Sequence, residues 1–145
     1  MVTLSETRIE NRYRVQPNHA NNYESLHGGN LMKWMDEVGA MAAMRLAGES
    51  CVTAGVTELD FQRPVPIGEI ARIEAYVYET GRTSVKARLR AWREDPRSGE
   101  STPTTEAVFT FVSIGEDGSP VEVPDLTVET GEERRLREEA RSVED

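Results

Sequence analysis

From Asn30 to Ala47 the residues Leu31, Trp34, Met35, Val38, Met41, Ala42 and Leu46 recur at spacings of three and four, and Gly48 follows as a stop. That period predicts one long helix. The same run carries Gly39, Ala40, Ala42 and Ala43, small enough for a sheet to come close. Four later runs read as strands: Cys51 to Gln62, Ala71 to Thr80, Ser84 to Arg93 and Thr104 to Ile114. They are separated by turn-rich stretches at Pro64 to Gly68, Gly81 to Thr83 and Asp95 to Pro103. Thr7 to Val15 reads as a further short strand, and Pro17 to Gly29, rich in Asn, His, Ser and Gly without periodicity, reads as a loop. One helix and a series of strands predict an α+β fold in which a curved antiparallel sheet wraps the helix.

With 145 residues and 37% apolar content the chain is large enough for one domain with a real core. The charge-dense end, GEERRLREEARSVED, is too poor in apolar residues to build a core of its own. Residues 1–126 are therefore expected to form the domain, and 127–145 a solvated helical or disordered tail. No apolar run reaches the roughly 18 residues of a membrane span, and the start, MVTLSETRIENRYRV, lacks the features of a secretory signal. A soluble cytoplasmic protein is expected. Cys51 is the only cysteine, so no internal disulfide is possible, and two histidines add little towards a zinc site.

The formal charge of −9 disfavours nucleic acid and anionic membrane as partners. Only Lys33 and Lys86 are lysines among 17 basic residues. Acidity with arginine in place of lysine points to a halophilic, salt-accumulating microbe, the alternative being a mildly acidic protein from a GC-rich genome.

Asp36 is the residue that most demands a chemical account. Its neighbours at three and four positions are Met32, Lys33, Gly39 and Ala40. A carboxylate on such a packing face costs several kcal/mol unless it is paired or used, so it is either a catalytic group or a satisfied structural one. Glu37, four residues after Lys33, reads as half of a solvated pair. The loop enters the helix through His27, Gly28 and Gly29. Two glycines there permit close approach to a ligand and leave amides that suit an oxyanion. Asn21 and Asn22 could orient a water or a carbonyl, or be ordinary turn residues. Gly81, Arg82, Thr83 and Ser84 form a tight turn, after which Ser84, Lys86, Arg88 and Arg90 share one strand face. That row of cations suits a polyanion such as the phosphates of coenzyme A, or is simply a solvated face.

Four stretches together, PNHANNYESLHGGNLMKWMDEVGAMAAMRLAG, VTAGVTELDFQRPVPIGE, ETGRTSV and AVFTFVSIGEDGSPVEVPDL, resemble the acyl-CoA hydrolase branch of the hotdog thioesterases, over about Tyr13 to Leu126. The resemblance implies a hotdog fold and hydrolysis of acyl-CoA to free acid and coenzyme A. It gives Asp36 the role of general base or nucleophile, matches Asn21 to a loop asparagine that meets the aspartate of another subunit, and matches Gly28 and Gly29 to the oxyanion turn. His27, Gly81, Arg82, Thr83, Ser84 and Lys86 are then expected to bind coenzyme A. It implies a homo-oligomer, a dimer of hotdogs assembling as a trimer of dimers, with no metal or bound cofactor. Glu24 and Ser25 depart from the family, whose members often have glycine and a small polar residue there. Two other readings within the fold are a non-catalytic acyl-CoA binding module and a hydroxyacyl-CoA dehydratase using His27.

Overall fold

Helix α1, Gly28–Ala47, begins where His27 turns to extended backbone and ends where Gly48 adopts a left-handed φ of 70°, its N–H closing on the Met44 carbonyl at 2.8 Å. The computed structural model describes residues 1–145, and in it α1 lies against a five-stranded antiparallel sheet of order β2-β4-β5-β6-β3. The strands are β2 (Ile9–Arg14), β3 (Ser50–Phe61), β4 (Ile70–Thr80), β5 (Ser84–Glu94) and β6 (Ser101–Ile114). A small parallel pair, β1 (Val2–Thr3) and β7 (Leu126–Thr127), ties the N-terminal segment to the stretch that precedes the last helix. The arrangement is the α+β layout expected from the sequence, one long helix against an antiparallel sheet, and it fits the hotdog fold that the resemblance implies.

Period-two alternation along β5 places Val85, Ala87, Leu89 and Ala91 on the α1 side, where they join Phe109 and Phe111 of β6 in the main core. Gly39 lets the helix settle onto them. A Cβ there would lie 2.9 Å from Cζ of Phe111 and 3.1 Å from Cδ2 of Leu89, so the small residues of α1 do serve close packing.

The stretch expected as a tail forms helix α2, Gly131–Glu144, and it is not solvated all round. Thr130 caps it, and Glu133 completes a capping box while also accepting from Ser5 N–H at 2.9 Å. Those backbone donors, with Ser5 foremost, hold the Glu133 carboxyl down at about 2. Leu136 and Ala140 pack with Tyr76, Tyr78, Val108 and Leu4 into a second cluster on the opposite face of the sheet from α1. The Tyr76 hydroxyl donates to the Leu136 carbonyl at 2.7 Å.

This docking corrects the reading of the cationic row. Lys86 pairs with Glu144 at 3.0 Å, Arg88 with Glu106 and with Glu139 at 3.1 Å, and Arg90 with Glu74 at 2.6 Å. The row lies under and beside α2, already neutralised, on the face turned away from α1. Glu74 is buried, which works against its charge, yet Arg8 and Arg90 both donate to it and hold its carboxyl below the usual range.

Candidate active site

Asp36 sits midway along α1 and is half-buried, with Met35 beneath it in the core. Its Oδ1 accepts a hydrogen bond from the Thr53 hydroxyl on β3. Lys33 and Glu37 are both exposed, and the ion pair expected between them is not formed. The carboxylate therefore faces a partly open surface held by one neutral donor, with a second oxygen free. Thr53 was missed in the sequence. A threonine in a strand is ordinary, and only the docking of α1 against β3 singles this one out.

That surface continues along an unfinished edge. β3 pairs only with β6, and none of its twelve residues is buried. Val52 is 46% and Phe61 49% exposed, with Met41 and Met44 of α1 also open to solvent. A strand of this length leaves its outer edge unpaired, with apolar side chains open to solvent beside it.

At the start of α1 the amides can be accounted for one by one. Gly29 N–H donates to Nδ1 of His27 at 3.0 Å, and Asn30 and Leu31 N–H reach the His27 carbonyl at 3.0 and 3.1 Å. Gly28 N–H alone has no acceptor. The pairing of Gly28 with Gly29 as free oxyanion donors is thus reduced to one, and His27 serves as a helix cap. Beside Gly28 lies a cleft of about 270 Å³ whose apolar wall includes Leu26, Leu31, Phe61 and Val65.

Asn21 does not meet Asp36 within one chain. Its Oδ1 accepts from Tyr23 N–H at 2.8 Å and Ser25 N–H at 3.3 Å. Two backbone donors fix which atom is oxygen, so the group left to act outward is the amide NH₂. Between them Glu24 is forced to a φ of +61°, a left-handed conformation costing a non-glycine residue about 1–2 kcal/mol.

The Gly81 to Ser84 turn joins β4 to β5, with Gly81 N–H bonded to the Ser84 carbonyl at 2.9 Å. Arg82 is exposed and 3.7 Å from Glu122. β6 stands between this hairpin and β3, so one chain does not bring Arg82, Thr83 or Lys86 to Asp36.

Residues 23–100 match the sequence model of the Thioesterase superfamily. The chain belongs to that superfamily. Over 135 residues it is 31% identical to an uncharacterized acyl-CoA thioester hydrolase of Bacillus subtilis (strain 168), spanning 93% of this chain and 78% of that protein. Among solved structures, an apo-hexameric acyl-CoA thioesterase superposes with a TM-score of 0.89 at 32% identity, over 98% of this chain and 91% of the other. An acyl-CoA hydrolase from Staphylococcus aureus, solved with butyryl coenzyme A, coenzyme A and coenzyme A disulfide, superposes with a TM-score of 0.88 at 28% identity, over 97% and 86%. Alanine variants of that hydrolase have been solved at an asparagine, an aspartate and a threonine. The intervals between those three positions are the intervals between Asn21, Asp36 and Thr53 in this superfamily member.

Proposed function

We propose that this member of the Thioesterase superfamily hydrolyses acyl-CoA thioesters to a free carboxylic acid and coenzyme A, with Asp36 as the catalytic carboxylate. The observation that carries the reading is the pairing of Asp36 with Thr53 on the open flank of α1. It is strengthened by the shared intervals with the three positions replaced in the Staphylococcus aureus hydrolase.

Thr53 orients the carboxylate, whose free oxygen takes a proton from water as the water oxygen bonds to the thioester carbon; alternatively that oxygen itself attacks, and water then hydrolyses the acyl-aspartyl anhydride left after the thiolate departs, giving the free acid and restoring the carboxylate. Gly28 N–H and the outward amide of Asn21 donate to the carbonyl oxygen as it gains charge. The carbon–sulfur bond then breaks, and the thiolate leaves as coenzyme A and is protonated by solvent. No metal or bound cofactor enters, because a thioester is already activated. The cleft beside Gly28 accepts part of the acyl or pantetheine chain.

Because Asn21 lies apart from Asp36 in one chain, and the β3 edge is bare, we read the site as shared between copies, with assembly as far as the hexamer seen in structural relatives. Arg82 and Thr83 reach the coenzyme A of another copy's site. No helix is long and apolar enough to cross a membrane; we place the enzyme in the cytoplasm, and read its −9 charge and scarcity of lysine as adaptation to high salt.

Thiol release from acyl-CoAs of increasing chain length is the direct test, in dilute buffer and in molar KCl. Wild type should turn over, Asp36→Ala should lose at least about 10² in kcat, and Thr53→Ala should lose less. Binding without turnover in the wild type would make the domain an acyl-CoA binding module. Equal stability in both buffers would remove the halophilic reading.

A further inference from the structure

The paired glycines that open α1 are each covered by a ring. A Cβ on Gly28 would lie 3.5 Å from Cζ of Phe61, and one on Gly29 would lie 3.1 Å from Nδ1 and 3.2 Å from Cε1 of His27. Gly29 is therefore the residue that lets the His27 imidazole fold back over the first turn and take its amide. The backbone of His27 is itself held firmly: its N–H donates to the His19 carbonyl at 2.8 Å, and the preceding Leu26 N–H to the Val65 carbonyl at 2.8 Å. Asn30 adds a side-chain bond from Nδ2 to the same His19 carbonyl at 3.0 Å. Everything about this turn is fixed except the ring, which is exposed.

We infer that His27 is a positioning residue for the reaction, holding the first turn of α1 so that Gly28 N–H is its single outward donor. The inference rests on the hydrolase reading above. Nδ1 accepts only while it is unprotonated, and a protonated imidazole presents a donor at both nitrogens. Protonation therefore sets Nδ1–H against Gly29 N–H and breaks the cap, while placing a cation at the positive end of the helix dipole. The first turn of α1 has no acid, and the first charged residue along the helix is Lys33. The preceding turn supplies His19, whose own Nδ1 accepts from Gln16 N–H at 3.0 Å, and Arg63 lines the cleft from the other side. Glu24 and Asp60 are exposed, and Asp60 accepts from Gln62.

With the cap broken, the glycine turn frays and Gly28 N–H is no longer held in place, so turnover falls. His27→Ala should lower kcat roughly tenfold, short of the ~10²–10³ for deleting a donor outright, with a smaller change in KM. His27→Asn, which caps a helix without titrating, should recover most of that loss. The deciding measurement pairs the pH profile of thiol release with NMR titration of the His27 ring and the Gly29 amide in one oligomeric sample. The expected result is that the Gly29 resonance follows the ring, that the acid limb of the wild-type profile has the ring's midpoint, and that this limb leaves that midpoint in His27→Asn. An unmoved limb in His27→Asn, or a Gly29 amide indifferent to the ring, would overturn the inference. Absence of thiol release from every acyl-CoA while Gly29 still follows the ring would overturn it through the hydrolase reading instead, leaving only the cap.

Discussion

Helix α1 covers one face of the sheet with nine buried residues, all apolar or glycine, whereas α2 covers the other with Glu133, Leu136 and Ala140. Under α1 the contacts are Phe109, Phe111, Leu89 and the small residues that let them approach. Under α2, two tyrosines and Val108 are flanked by carboxylates of the helix meeting Arg88 and Lys86 of the sheet. The first contact stabilises by removing apolar area from water, about 25 cal/mol per Å² and independent of partner identity. The second depends on which charge faces which: Arg88 is buried, but Glu139, Lys86 and Glu144 are partly exposed, and pairs open to solvent contribute at most about 1 kcal/mol each. A helix of strongly polar composition can therefore be docked when its counter-charges lie on a different element.

Four substitutions would sharpen that contrast or break it. Phe111→Ala empties the centre of the α1 face and should cost about 3–5 kcal/mol in chemical denaturation; a loss below about 1 kcal/mol would show that α1 is not seated as described. Leu136→Ala strikes the one large apolar residue of α2 and should cost about 2–3 kcal/mol, with Tyr76 and Tyr78 gaining fluorescence sensitivity to a soluble quencher. If it instead matched the loss at Phe111, the two faces would be equivalent and the contrast wrong.

Glu133→Gln should cost about 1 kcal/mol at neutral pH, the scale of a lost helix cap. The folded carboxyl is held down to about 2 against an ordinary 4.5, so its contribution is fully present above the ordinary value and disappears as pH falls towards 2. Melting curves of the two proteins should separate at pH 7 and converge near pH 2; a constant gap would mean that the charge is not what the backbone amides of Ser5 and Thr130 require. The smallest effect belongs to Glu139→Gln, which removes the partly exposed partner of Arg88. A loss of about 0.2–1 kcal/mol in dilute buffer should vanish in molar KCl through screening, and persistence of the loss in salt would make the contact something other than ionic.

The long helix, the four strands and their antiparallel pairing were readable because periodicity is a local property of the chain. Asp36 stood out for the same reason, as an acid at a spacing where apolar residues belong. Thr53, by contrast, is one threonine among several in its strand, and its bond to Asp36 exists only once α1 is laid against β3. Likewise Lys86, Arg88 and Arg90 looked like a free cationic row, since the carboxylates that neutralise them lie up to 58 residues away.

By itself, then, the sequence determined the period of each element, the small residues that admit close packing and the odd carboxylate among apolar neighbours. Tertiary structure alone decided that the charged end docks, that the cations are spent, that His27 rather than a ligand takes the Gly29 amide, and that the β3 edge is left bare. The physical reason is one of range: hydrophobic periodicity is written between residues three or four apart, while a hydrogen bond or ion pair is directional and identifies its partner only when the chain has folded to bring the two within about 3 Å.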